Sequence, residues 1–185
     1  MSKAAIFLAD GFETIEGLTV VDLCRRAGVD LVTVSVTDSK RVVTAHRIPL
    51  ETDLTISELD FDSLDMIILP GGIPGTPNLE ACDQLMQQLN AFYEAGRYIS
   101  AICAAPRIFG KRGYLKGRKA TCFPGVESFL EGADYTGSKL EVADHLITSR
   151  GMGTATEFAL AIVERLEGAD KAKEIASQVT FEGWK

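Results

Sequence analysis

Residues 97–110 read RYISAICAAPRIFG, and the reading of this stretch decides the fold. YISAIC is an apolar run of strand length, and helical sequence begins near Ala105. Cys103 therefore stands where a buried strand turns into a helix. A cysteine is often a small buried hydrophobe. A sharp strand-to-helix turn favours a second reading, because it exposes the side chain and aims a helix N-terminus at it. The dipole and free N–H groups there favour thiolate over thiol.

Working outward, the same strand–helix unit recurs. AAIFLA (4–9) reads as a buried strand, followed by the helix TIEGLTVVDLCRRAG. Ile15, Leu18, Val21 and Leu23 are expected to form its inward face, with Gly28 as the stop. LVTVSV (31–36) is a β-branched strand. RVVTAHRIPLETDL (41–54) reads as a hairpin or edge excursion, since Pro49 opposes a central strand. DMIILP (65–70) is another buried strand, running into GGIPGTPN and then helix from Leu79 to about Ala95. KATC is a short strand, YTGSKLEVADHLITSR a hairpin with the final strand, and TATEFALAIVERLEG an amphipathic helix. Apolar strands alternating with helices predict one α/β domain over 1–185, its mostly parallel sheet covered on both faces.

Composition narrows the function classes. The 185 residues are 46% hydrophobic, and 19 basic against 26 acidic residues give a net charge of −7. This balance disfavours nucleic acid and anionic membranes as partners. The apolar run near the N-terminus is far too short for a membrane span and leads into an acidic loop, so a cytoplasmic protein is expected. Cys24, Cys82, Cys103 and Cys122 are widely spaced without CxxC or Cys/His clusters. Reduced thiols fit better than disulfides or a metal site.

In open α/β sheets, ligands bind beyond the carboxyl ends of the strands. Following each strand gives Asp10-Gly11-Phe12-Glu13 with Glu16 one turn on, then Gly71-Gly72, Cys103, and Ser149-Arg150-Gly151. Glu16 is either a favourable charge in a first helical turn or, given its neighbours Ile15 and Leu18, a partly buried partner. Gly71 and Gly72 either make a tight turn or let backbone N–H groups approach a ligand oxygen. Cys24, Cys82 and Cys122 have no such setting. His46 and His145 fall in hairpin stretches away from strand ends, so neither is expected to act as a general base.

LADGFETIEGLTVVDLCRRAGV, IILPGG, AICAAP and LITSRGMGTATEFALAIVE stand in register across nearly the whole chain. Together they resemble the ThiJ/PfpI superfamily, in the branch of the parkinsonism-associated protein deglycase. The resemblance implies a flavodoxin-like three-layer sandwich, homodimeric, with Cys103 at a nucleophile elbow. It implies that Glu16 carries a proton and hydrogen-bonds the Cys103 sulfur, and that the amides of Gly72 and Ala104, beside Gly71, form an oxyanion pocket. Glu13, Arg25, Arg26, Arg47, Phe123 and Arg150 are implied at the site rim or the dimer interface. Two departures matter. Ala104 stands where the peptidase branch has histidine, so a Cys-His triad is not expected. Phe123, before Pro124, stands where some relatives place another histidine, leaving an aromatic wall.

The expected chemistry is a glutathione- and metal-independent, cofactor-free glyoxalase or deglycase reaction on methylglyoxal or its adducts. A protonated Glu16 would move protons, and Cys103 would titrate well below the about 8.5 of free cysteine. The alternative from the same residues is an oxidative-stress sensor or redox-regulated chaperone, whose thiol oxidises to a sulfinate.

Overall fold

The computed structural model describes residues 2–184. In chain order it contains β1 (Lys3–Leu8), α1 (Thr14–Arg26), β2 (Asp30–Ser35), β3 (Arg41–Val43), β4 (Pro49–Glu51) and β5 (Leu54–Thr55). There follow β6 (Met66–Leu69), α2 (Gly75–Glu80), α3 (Asp83–Glu94), β7 (Tyr98–Ile102), α4 (Pro106–Lys111) and β8 (Lys119–Ala120). The chain then forms β9 (Asp134–Tyr135), β10 (Leu140–Ala143), β11 (Leu146–Ser149), α5 (Ala155–Glu167) and α6 (Ala169–Gln178).

Seven strands make the central sheet, in the order β10-β11-β7-β6-β1-β2-β5. Every pairing is parallel except that of β10 with β11, a hairpin closing one edge. Successive strand residues point to opposite faces, and β1 shows the result. Ala5 and Phe7 join a core with Leu85, Leu89 and Phe92 of α3, whereas Ala4, Ile6 and Leu8 join one with α1, α5 and α6. A strand buried on both faces must be apolar throughout, which is why these strands show no polar alternation. The layers are therefore helix, sheet, helix, as expected. Among the described residues no helix is long and apolar enough to cross a membrane.

The expected inward face of α1 is corrected. Its buried residues are Glu16, Gly17, Val20, Leu23 and Cys24, while Ile15 is 48% and Leu18 40% exposed. Glu16, Val20, Leu23 and Cys24 follow the i, i+4, i+7, i+8 stripe of a buried helix face. The carboxylate is part of that stripe, and leaving it out rotates the inferred face. The single helix expected from Leu79 is two, α2 and α3, broken at Cys82. KATC contributes only β8, paired with β9 outside the main sheet. Helix α6 and the edge strand β5 were not anticipated.

The β3–β4 hairpin does not project into solvent. Gly11 N–H donates to the Val43 carbonyl (2.7 Å), Ala45 N–H to that of Phe12 (2.9 Å) and Val43 N–H to Asp10 Oδ1 (2.8 Å). The hairpin is thus bound to the loop after β1, at the carboxyl rim of the sheet. The placement of His46 away from the strand ends is corrected accordingly: its Nε2 lies 3.5 Å from Glu13 Oε2.

Candidate active site

Cys103 follows β7 directly and precedes α4, with φ of 67°. A non-glycine residue in this left-handed region costs about 1–3 kcal/mol and persists only where its surroundings impose it. Here two loops do so. Cys103 N–H donates to the Ser149 carbonyl (2.9 Å), and its own carbonyl accepts from Phe123 N–H (2.8 Å). The turn is a nucleophile elbow, held from the β11 side.

Glu16 reaches it from the other side. In the first turn of α1 it is only 1% exposed, and its Oε2 accepts a 2.9 Å hydrogen bond from Gly71 N–H. Oε1 is buried without a hydrogen-bond partner, and the carboxyl group lies beside the Cys103 thiol. Burial pushes the Glu16 pKa up to about 7, opposed by hydrogen bonds from Cys103 and the Gly71 amide, with Glu13 adding a smaller upward push. Near neutrality Glu16 holds a proton for much of the time. A proton on the carboxyl group gives it a hydrogen to donate towards the neighbouring sulfur.

Gly71 lies between the two groups. A Cβ there would fall 2.6 Å from Cys103 Cβ, 2.7 Å from Glu16 Oε2 and 3.0 Å from the Ile102 carbonyl oxygen. Gly72, at φ of 98°, is pressed so closely on the α1 entry that its Cβ would meet Glu13 N at 2.4 Å. The Gly72 and Ala104 amides both favour the thiolate of Cys103.

The expected low pKa of Cys103 is corrected. Burial is the largest influence, and with the Glu16 charge and hydrogen bond it pushes the thiol up; the Ala104 and Gly72 amides pull it down less strongly. Helix α4 is only six residues long, so it brings little dipole to offset burial. Cys103 and Glu16 form one coupled pair. Losing a second proton from it is strongly disfavoured, so the first proton to leave comes mainly from Glu16 and the thiol holds its own to higher pH.

The rest of the anticipated set divides. Glu13 is on the rim, its N–H donating to the Gly71 carbonyl (2.9 Å). Arg25 and Arg26 are not: they end α1, about 14 Å along the axis from Glu16 at 1.5 Å per residue. Arg25 binds Asp53 at 2.6 Å and Arg26 binds Asp22 at 2.8 Å. Arg47 is exposed in the turn of the β3–β4 hairpin. Phe123 and Arg150 line an open cleft of about 390 Å³ with Pro124, Gly151 and Met152.

Cys24 and Cys122 are buried, each pushed up to about 12 by burial. Unread in the sequence were His46 and the support of the loop after β11. In that loop Thr154 Oγ1 lies 2.7 Å from Ser149 Oγ and accepts from Gly151 N–H at 3.2 Å. The polar run TSRGMGT hints at such a network, but nothing local signals His46. No group of three or more potential metal ligands comes together among the described residues.

A model of the DJ-1/PfpI family matches residues 2–165. Protein DJ-1 homolog B of Arabidopsis thaliana is 36% identical over 91% of this chain, which spans only 39% of that relative. A Caenorhabditis elegans protein named glutathione-independent glyoxalase DJR-1.2 is 31% identical, with 94% of each chain covered. Among solved structures, that of oxidized Toxoplasma gondii DJ-1 superposes with a TM-score of 0.94 at 30% identity, covering 99% of this chain and 100% of the other.

Proposed function

Since this chain belongs to the DJ-1/PfpI family, we propose that it is a glutathione- and metal-independent glyoxalase with Cys103 as nucleophile and Glu16 as proton carrier. One observation carries the reading: a carboxyl pushed up to about 7, set directly against an elbow cysteine. The relative named a glutathione-independent glyoxalase supports the same reaction class. A general acid–base group works best with a pKa near the working pH.

With methylglyoxal, the Cys103 sulfur adds to the aldehyde carbon. The resulting oxyanion is held by the Gly72 and Ala104 amides and receives the thiol's proton by way of Glu16, giving a hemithioacetal. Glu16, as carboxylate, removes the hydrogen from that carbon; the electron pair moves onto the neighbouring carbonyl oxygen and forms an enediolate. Glu16 then returns the proton to the second carbon while the hydroxyl proton passes from the first oxygen to the second, leaving a thioester of lactate. Water cleaves the thioester and restores the thiol. One carbon is oxidised and its neighbour reduced, so methylglyoxal plus water gives lactate without an outside oxidant. Acting on a methylglyoxal adduct of an amine or thiol, the same steps amount to deglycation.

We further infer a homodimer formed through α1 and the β3–β4 hairpin. Ile15 and Leu18 on the outer face of α1, and Ile48 on the hairpin, are large exposed apolar side chains that such a contact would cover. Light scattering at micromolar concentration should give the dimer mass; a clean monomer would remove this interface. Four unpaired cysteines support a reducing, cytoplasmic setting.

The deciding experiment is steady-state conversion of methylglyoxal to lactate by wild type beside Cys103→Ser. Many turnovers by wild type and none by the variant are expected. Consumption that stops at one equivalent per chain would instead favour the sensor reading, in which the same amides and carboxyl group hold an oxidised sulfur.

A further inference from the structure

The elbow has two flanks. Strand β7 lies between β6 and β11. The groups assigned to proton transfer and oxyanion binding come from the loops after β1 and β6, or from the elbow itself. The β11 flank carries no assigned chemistry, yet it opens the cleft of about 390 Å³ between Phe123, Met152 and Arg150. That cleft neighbours the elbow: the Cys103 backbone is hydrogen-bonded to Phe123, which forms one wall, and to Ser149, which precedes the wall residue Arg150.

We propose that this cleft is a subsite for the non-reacting arm of the substrate, and that it selects α-oxoaldehydes whose arm ends in a carboxylate. The inference rests on the glyoxalase reading and adds the substrate class. Size is the first argument. The volume falls within the roughly 300–1,000 Å³ of ordinary small-molecule sites, far more than a three-carbon aldehyde fills.

Wall chemistry is the second. The Phe123 ring, Pro124 and the half-exposed Met152 offer apolar contact suited to methylene groups. Beyond them the Arg150 guanidinium donates Nη1–H to the Gly137 carbonyl at 3.2 Å and has no ion pair among the described residues. Lys139, the other cation of the cleft, is already paired with Glu157 at 3.1 Å. Arg150 is thus left with donors and charge for an incoming carboxylate, which its planar fork fits well.

Rigidity is the third argument. A Cβ on Gly151 would lie 3.2 Å from Phe123 Cδ2, so the ring packs over this glycine. Thr154 Oγ1 ties the Gly151 N–H (3.2 Å) and carbonyl (2.8 Å) together. The cleft has a fixed floor and does not depend on a collapsing loop.

The test compares 4,5-dioxopentanoate with 2-oxohexanal, an uncharged α-oxoaldehyde of similar arm length, in wild type and Arg150→Gln. Wild type should favour the carboxylate in kcat/KM by about tenfold or more, as expected for a charge-assisted pair, and Arg150→Gln should abolish that preference. An unchanged preference in the variant, or a wild type that favours the neutral arm, would overturn the proposal. A second measurement needs no turnover: binding of levulinate to Cys103→Ser with and without Arg150→Gln, followed by NMR shifts. Levulinate should bind more weakly by a similar factor when Arg150 is replaced, and equal binding would overturn the subsite. Absent turnover with Arg150-dependent levulinate binding would reject the glyoxalase reading and leave the subsite standing.

Discussion

The two flanks of Cys103 are built on opposite plans. On the β6 side, backbone atoms, a buried carboxylate and two glycines crowd together without room for a methyl group. On the β11 side, an open cleft is walled by side chains that are half exposed. The contrast separates two tasks. Moving protons between sulfur and carbon requires fixed, dry geometry, because a carboxyl group holds its proton near neutrality only when burial disfavours its anion. Accepting a substrate arm requires space and one unspent charge.

Changes on the crowded flank should therefore act through chemistry, and the largest effect belongs to Glu16→Gln. The amide can donate a hydrogen bond to sulfur but cannot take up and return a proton. Methylglyoxal turnover should fall about 10²–10⁴-fold while the Cys103 thiol remains alkylatable. Near-normal turnover in this variant, with Cys103→Ser inactive, would break the proton-carrier role.

Gly71→Ala comes next, since its methyl group meets Cys103, Glu16 and the Ile102 carbonyl at 3.0 Å or less. The collision involves backbone and both site groups, so turnover should drop by about 10²-fold, with about 1–3 kcal/mol lost in denaturant titration. Gly151→Ala is the matching change on the open flank. Its new methyl group meets only the edge of the Phe123 ring at 3.2 Å, which can tilt away, so the effect should be several-fold at most. Equal losses from the two alanines would erase the distinction between the flanks.

Stability should register the same asymmetry through pH. Glu16 binds its proton more tightly in the folded chain, with a pKa near 7 against an ordinary 4.5. The native state therefore holds more protons between these values, and its stability falls as pH rises through that window. Relative to Glu16→Gln, the wild type should lose up to about 3 kcal/mol between pH 4.5 and 8. Denaturant unfolding of both proteins across this range checks the sign. The smallest effect is expected at the far end of α1, where Arg25→Ala removes a half-exposed pair with Asp53. It should cost about 1 kcal/mol or less and leave turnover per folded molecule unchanged.

How much of this was legible follows from how local each feature is. Strands β1, β6 and β7 announce themselves as apolar runs, so the sheet and the convergence of Glu16, Gly71 and Cys103 could be foreseen. The face of α1 was misjudged because Glu16 belongs to the buried stripe, a polar residue in a place that hydrophobic periodicity assigns to apolar ones. The thiol was misjudged because the elbow suggests a helix dipole, whereas burial beside a carboxyl group outweighs it. The approach of His46 to Glu13 was invisible, since the hairpin's bonds to the Asp10–Phe12 loop span about thirty residues of chain.

The central claim is that Cys103 and Glu16 titrate as one pair, in which the negative carboxyl group holds the thiol proton on to high pH. Ultraviolet thiolate absorbance against pH, for wild type and Glu16→Gln with Cys103→Ser as blank, tests it directly. Wild type should develop thiolate in a step displaced to high pH because the pair is already negative, and Glu16→Gln should show its step at lower pH. Superimposable single-step curves for the two proteins would show that the carboxyl group and the sulfur ignore each other, and would contradict the account.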